Sequence, residues 1–441
     1  MNQALTFGRP GPRLPPADAT IRRPAPATHD FSAGYALPLC TPATGRWLTL
    51  AFIVFALFTT LEAPLRWALS LIGASALIYL RDAALLFAML ALWWRQLLAH
   101  RVQAAFGIFA LVVFFHGVIG LLLCRVPIAV AMGLKMLLYP TFGALYLPQL
   151  LKNRRPVAWL MLLVWVLTAA GVVLDYAGYD MPWKGMSTSV GDYTVVINRK
   201  WDYEGVDRIG GFARDSVTAG VLAALPGIWA LLFLRSMMLR AAIAAGTMAI
   251  IWLTTSKGGV LAYAFAVLAC MLPGRDRLPT RLLLACVVAA MLLCPIILPN
   301  YYMPDRLPTS LLSFVDRIER VWPESWHNIA EHSWIFGSGI GNIGLGQQYL
   351  RYEDVDTADN MLVMSWGYFG VFCLIYLLLP VLAALRRRRS DIASRWALVT
   401  LVYVYAYGIV ANVIESPVLM FMLGTALQAL ALRRVRQVQD A

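Results

Sequence analysis

Residues 152–176 read KNRRPVAWLMLLVWVLTAAGVVLDY, a basic cluster followed by an apolar run over 157–176 whose only charged residue is Asp175. A run of about 20 apolar residues is what an α-helix needs to cross the hydrocarbon core of a bilayer. The basic cluster beside it marks the end held on the cytoplasmic side. Outward from this stretch the same unit recurs. Apolar runs cover about 47–61, 81–95, 104–123 and 127–148 before it, and 215–234, 240–255, 258–273, 282–298, 361–385, 396–413 and 417–432 after it. Threaded alternately, they place His100-Arg101, Lys152–Arg155, Arg235–Arg240, Arg275–Arg281, Arg386–Arg389 and Arg433–Arg436 together on one side. The expected fold is an all-α polytopic membrane protein of about twelve transmembrane helices. It spans 46–432 and carries two large outer loops, 177–214 and 299–360, the second containing short helices. A semi-polar stretch with Glu62, Arg66 and Trp67 is expected at the outer interface.

Composition agrees. The chain has 441 residues, 60% of them hydrophobic and 14% charged, with a mean hydropathy of +0.67, which excludes an ordinary soluble protein. Its formal charge of +13 is accounted for by basic loops retained on the inside. No stripe of interleaved aromatics and Arg/Lys outside the apolar runs points to nucleic acid. The cysteines (Cys40, Cys124, Cys270, Cys286, Cys294, Cys373) show no CxxC spacing and avoid both large loops, so neither a metal knuckle nor a disulfide-stapled ectodomain is expected. Residues 1–45, rich in Pro and Arg and lacking an apolar h-region, read as a disordered cytoplasmic tail, and 433–441 as a second cytoplasmic tail.

Chemistry is expected where polar residues interrupt the apolar pattern on the outer side. Arg208 and Arg214 flank the pair Gly210-Gly211 where the chain re-enters the apolar region. They are either interfacial anchors paired with Asp207 or Asp215, or a fork for a phosphate with glycine backbone drawn close to the ligand. Thr254-Thr255-Ser256-Lys257-Gly258-Gly259 breaks two apolar runs. It is either a tight turn or a cavity wall with Lys257 facing an anion. In the second loop, Arg317 and Arg320 are three apart, which on a helix puts them on one face. His327 to His332 reads H-x-x-x-E-H, one residue too long for a zinc helix, and Asp354-Val355-Asp356 starts like a calcium loop but lacks its glycine. The Gly337–Gly346 run does not end in Lys-Ser/Thr and is no P-loop. Asp359-Asn360 abuts the run starting at Met361 and is either a helix cap or part of a site.

In order and topology these elements resemble the O-antigen ligase and Wzy-type polymerase superfamily of membrane glycosyltransferases. The resemblance rests on Arg-x-Gly-Gly at Arg208, Thr-x-Ser-Lys at Thr254, Arg317…Trp326…Gly337-x-Gly-x-Gly341, and Asp359-Asn360…Gly367…Gly370. It implies transfer of a glycan from undecaprenyl diphosphate to an acceptor hydroxyl at the periplasmic face of the bacterial inner membrane, inverting, without metal or other cofactor. Carried onto this chain, Asp359 and Arg317 are the catalytic pair, and Arg208 binds diphosphate with help from Arg214, Lys257 and Arg320. Trp326, His327 and Asn360 face the glycan. Where ligases of this kind carry His, this chain has Asp359. That departure favours a polymerase whose donor and acceptor are both undecaprenyl-diphosphate-linked oligosaccharides, over a ligase delivering glycan to a lipid A-core. The implied partners are membrane lipid, a flippase and a chain-length regulator, and no nucleic acid. Rival readings are a transporter of polysaccharides or small molecules, and a glycosyltransferase using polyprenyl-monophosphate sugars with Glu62 as its loop carboxylate.

Overall fold

The computed structural model describes residues 42–98, 104–152, 154–190, 193–198, 202–203, 206–272, 278–301, 309–349, 358–387 and 391–431. The expected N-terminal tail lies outside these residues as far as position 41, and so do the C-terminal tail 433–441 and Asp354–Asp356. The chain runs through α1 (Pro42–Thr60), α2 (Glu62–Leu71), α3 (Leu80–Leu98), α4 (Ala104–Cys124), α5 (Pro127–Lys135), α6 (Leu138–Lys152) and α7 (Arg154–Tyr176). Two antiparallel ladders follow in the first loop, β1 (Ser187–Val190) with β2 (Tyr193–Val196), and β3 (Asp202–Tyr203) with β4 (Val206–Asp207). Next come α8 (Ser216–Phe233), α9 (Met237–Leu253), α10 (Lys257–Met271) and α11 (Leu278–Ile297). The second loop holds α12 (Thr309–Asp316) and α13 (Trp322–His332), and α14 (Met361–Phe369), α15 (Cys373–Arg386), α16 (Ile392–Tyr407) and α17 (Pro417–Ala431) close the fold.

Each expected apolar run is helical, but not each is a full span. Among the described residues, five helices are long and apolar enough to cross a membrane: Pro127–Leu151, Arg155–Tyr176, Ser216–Phe233, Leu278–Asn300 and Met361–Arg386. A sixth would be Gly45–Thr60 with Glu62–Leu71, a pair bent by 81°. The shorter apolar helices, α16 among them, fall below the length of about 20 residues that a straight span requires. α16 is enclosed by protein, with Trp396, Tyr403, Tyr405 and Tyr407 all buried. α8 packs beside it, 83% of its apolar stretch buried, against 28% for α11. On the rim, Leu282, Leu293 and Ile296 of α11 and Leu111, Phe114 and Leu122 of α4 are exposed, an apolar surface of the kind that lipid covers.

The bundle has two chemically distinct ends. At one, Arg387 donates to Ser394 Oγ at 2.7 Å and to the Leu430 carbonyl, while Arg281 donates to the Arg387 carbonyl. α16 leads away from Ser394 to Tyr407 at the other end, and α17 returns from Pro417 toward Leu430. The connections expected on the outer side gather at the Tyr407–Pro417 end, around one cavity.

Helix α17 lies directly on α6. A Cβ at Gly424 would overlap the Pro140 carbonyl oxygen, and one at Gly143 that of Phe421. Small residues of this kind let two helix backbones meet where no water drives them together. The contact is sealed by Phe52, which stacks on Tyr146 at 4.2 Å and on Phe421 at 5.1 Å. Gly424→Val is therefore expected to destabilise the purified protein by about 1–3 kcal/mol, the usual cost of overpacking. Thermal unfolding in detergent checks this, with Gly220→Ala as the tolerated control, since a Cβ there meets nothing nearer than 3.6 Å.

Candidate functional site

The cavity has a volume of about 620 Å³, within the range of small-molecule sites. Its lining brings together seven basic side chains (Arg66, Arg81, Lys135, Arg208, Arg214, Lys257, Arg317) and four carboxylates (Glu62, Asp215, Asp359, Glu415), an excess of three positive charges. Of the residues expected at a site, Arg208, Arg214, Lys257, Arg317 and Asp359 are here.

One wall is built on the second loop. Arg317 Nη2 meets Asp359 Oδ2 at 3.1 Å, and Arg317 Nη1 donates to Ser313 Oγ at 2.7 Å. Arg208 Nη2 reaches the same hydroxyl at 3.0 Å, so Ser313 joins the two guanidiniums. Burial and the neighbouring Arg317 push the Arg208 guanidinium below its ordinary pKa, against the pull of Asp359, Tyr407 and Asp215. Two guanidiniums held this close concentrate positive charge on this half-buried wall.

The local backbone aims these groups. Residues Arg317–Val321 form a π-helical turn between α12 and α13. Its i→i+5 closure widens the turn, so residues three apart no longer share a face. Arg317 consequently turns to the cavity, while Arg320 stays exposed and pairs with Asp316 at 2.9 Å and Glu324 at 3.4 Å. Arg320, expected to assist at the diphosphate, thus lies outside the cavity lining. Ala358, at φ +47°, occupies the left-handed region unusual for a residue with a side chain. It sets a sharp corner just before Asp359. The Trp322 indole then holds the Asp359 carbonyl at 3.3 Å.

At the α9–α10 break, Thr255 takes a similar left-handed φ of +59°, and Thr255, Ser256, Lys257 and Gly258 line the cavity. The stretch is both a tight turn and a cavity wall. Ser256 Oγ and Tyr407 Oη lie 3.0 Å apart.

Three residues expected to contact the glycan lie outside the cavity lining. Asn360 is fully buried: its Oδ1 accepts from the Leu362 and Val363 amides, and its Nδ2 donates to the Met291 and Ile409 carbonyls. Its hydrogen-bonding capacity is spent on capping α14 and tying it to α11 and to Ile409 just past α16, which leaves none for a sugar. Trp326 donates to the Pro295 carbonyl at 3.1 Å and stacks with Trp334, away from the cavity lining. His327 is exposed and pairs with Glu331 at 3.0 Å. The glycine pair also has another task. Gly210 and Gly211 amides donate to Asp175 Oδ2, and Gly211, at φ +60°, packs on the Gly171 backbone of α7, where a Cβ would clash. Asp207 meets Lys184 at 3.4 Å, and Asp215 caps α8 through the Thr218 amide.

Sequence reasoning missed the opposite wall. Glu62 and Arg66, expected at the interface, are buried at 4% and 6% exposure. Arg66 grips Glu62 Oε1 at 2.6 Å, and Arg81 reaches Glu62 Oε2 at 3.0 Å and Asp82 Oδ1 at 3.1 Å. Lys135 meets Asp82 Oδ2 at 3.2 Å, and Tyr139 donates to Asp82 Oδ1 at 2.6 Å. Lys135 had carried a signal, since an ionisable residue inside an apolar run marks a functional position by default. Glu415, which accepts from Asn412 at 2.9 Å and from the Leu345 amide, was missed as well.

Compared with known proteins, this chain matches no family model, no curated protein and no solved structure.

Asn360→Ala removes a cap and two tertiary hydrogen bonds at once. It should lower stability by about 2–4 kcal/mol on typical values for each, whereas Asp359→Asn should leave it within about 1 kcal/mol, as for a half-exposed ion pair. Thermal unfolding of the two variants side by side checks the assignment of one neighbour to structure and the other to the cavity.

Proposed function

We propose that this chain is a multi-pass glycosyltransferase of the bacterial inner membrane that polymerises lipid-linked glycan repeat units at the periplasmic face. The observation that carries the reading is the Arg317–Asp359 pair, with Arg208 held to the same serine, inside a cavity with excess positive charge. The cavity edge at Trp252 and Leu261 runs into exposed apolar surface, which suits a substrate whose charged head carries an isoprenoid tail.

In this reaction the acceptor sugar hydroxyl attacks the anomeric carbon of the growing chain. The new C–O bond forms as the bond from that carbon to the diphosphate oxygen breaks, inverting the centre. Asp359, held through one carboxylate oxygen by Arg317, takes the hydroxyl proton on the other. The leaving diphosphate keeps the electron pair, and Arg208 and Arg317 stabilise the charge as it grows. Lys257 and Arg214 add to the field from the remaining walls. A ligase would use the same groups with a lipid A-core as acceptor. Transport of an anionic lipid-linked glycan is the second reading, favoured by the buried charges at the α1–α2 break, since transporters place ionisable groups on interrupted helices.

The test is reconstitution in liposomes with an undecaprenyl-diphosphate-linked oligosaccharide, reading products on a gel. The expected result is a ladder of repeats that Asp359→Asn and Arg317→Ala each reduce by about 100-fold or more, while Arg320→Gln and His327→Ala stay within about twofold, as surface changes do. Product only with a lipid A-core acceptor would establish the ligase, and movement of intact substrate without product would establish transport.

A further inference from the structure

The charges of the cavity fall into two neighbourhoods. Arg208 is within electrostatic reach of Arg317, Asp359, Tyr407 and Asp215. Glu62 is within reach of Arg66, Arg81 and Arg214. Apart from Arg214, the second group belongs to the wall formed by the α1–α2 corner, the start of α3 and the α5–α6 junction, and nothing in the reaction described above uses that wall.

That wall is more than a brace. Arg66 and Arg81 are more than nine-tenths buried, and both line the cavity with Lys135. Among the described residues the three cations pair with two carboxylates, Glu62 and Asp82, one fewer than their own number. A buried network that served only to hold helices together would gain by closing at charge balance, because an uncompensated buried charge is expensive. Lys135 is the most open of the three, its side chain 19% exposed, and Asp82 Oδ2 at 3.2 Å engages only one of the three protons its ammonium can donate. Polymerisation also joins two substrates whose heads are alike. A cavity with a single cationic centre would make donor and acceptor diphosphates compete for it, and two centres would hold both at once.

We infer that Arg66, Arg81 and Lys135, with Arg214 at their edge, form a second anion subsite that takes the diphosphate of the acceptor lipid while the Arg208–Arg317 pair takes that of the donor. This rests on the polymerase reading above.

The experiment titrates the purified full-length protein with farnesyl diphosphate by calorimetry, with inorganic diphosphate as a parallel arm. Wild type should bind two farnesyl diphosphates per chain. Lys135→Gln and Arg66→Gln should each weaken one event by about tenfold, the loss of one charged hydrogen bond, and leave the other unchanged, while Arg317→Ala should weaken the other. Arg66→Lys, which keeps the charge and leaves Glu62 paired, should retain both events. In the liposome assay Lys135→Gln should raise the KM for the acceptor about tenfold with kcat within about twofold, the signature of lost ground-state binding. Both events unmoved by Lys135→Gln and Arg66→Gln would overturn the subsite. So would a single event in wild type that still forms product. Two events with no product in liposomes would overturn the reaction, and the acceptor role with it. Equal affinity for inorganic diphosphate would overturn the assignment to a lipid head.

Discussion

A guanidinium buried in an apolar bundle costs several kcal/mol unless carboxylates share its site, and Arg81 shows what that constraint does to a fold. It gathers Glu62 from the α1–α2 corner, Asp82 from its own helix, Thr59 from the end of α1 and Tyr139 from α6. Those elements meet where the chain turns through 81° after α1 and where α5 gives way to α6 beside Lys135. One buried cation thus sits where the first apolar segment bends and beside the short interruption between α5 and α6. The same demand governs backbone. Loop segments at this end keep their amides satisfied by lying on helices, as Gly339 does on the Gly367 carbonyl and Gly211 on Asp175.

The other wall of the cavity is organised by backbone conformation rather than by buried charge. Asp359 stands between a left-handed alanine and a saturated cap, with its carbonyl held by Trp322. Its carboxylate is in turn held by Arg317 at 3.1 Å, the kind of preset charge that the proposed reaction would draw on. The two left-handed residues beside the cavity, Ala358 and Thr255, each precede a group that faces it. Strained backbone of this sort persists where the surrounding packing holds it in place.

Much of the architecture could be read from the chain, because apolar length and basic clusters are local properties. The run at 157–176 announces α7 within three residues, and Arg281 and Arg387, from two of the basic clusters, meet at one end of the bundle. Arg208, Arg317, Lys257 and Asp359 were legible as polar interruptions of an apolar pattern. The burial of Glu62 and Arg66 was not, because Arg81, the partner of Glu62, belongs to a different helix, and the stretch by itself looks like an interfacial ribbon. Asp359 and Asn360 defeated the reading in another way. Adjacent residues of similar shape point in opposite directions, one into the cavity and one into a helix terminus, and only backbone geometry separates them.

The π-helical turn at Arg317–Val321 has a consequence for how such a site can change. A turn closed i→i+5 accommodates one residue more than an α-helical turn. Removal of a single residue there would restore the regular register and rotate Arg317 relative to α13 and to Asp359. Every charge would still be present, at nearly the same place in the chain, yet the guanidinium would leave its carboxylate. The arrangement of this wall is therefore written in the number of residues as much as in their identity. An insertion or deletion of one residue in this short stretch, neutral in composition, separates a chain that can assemble the pair from one that cannot.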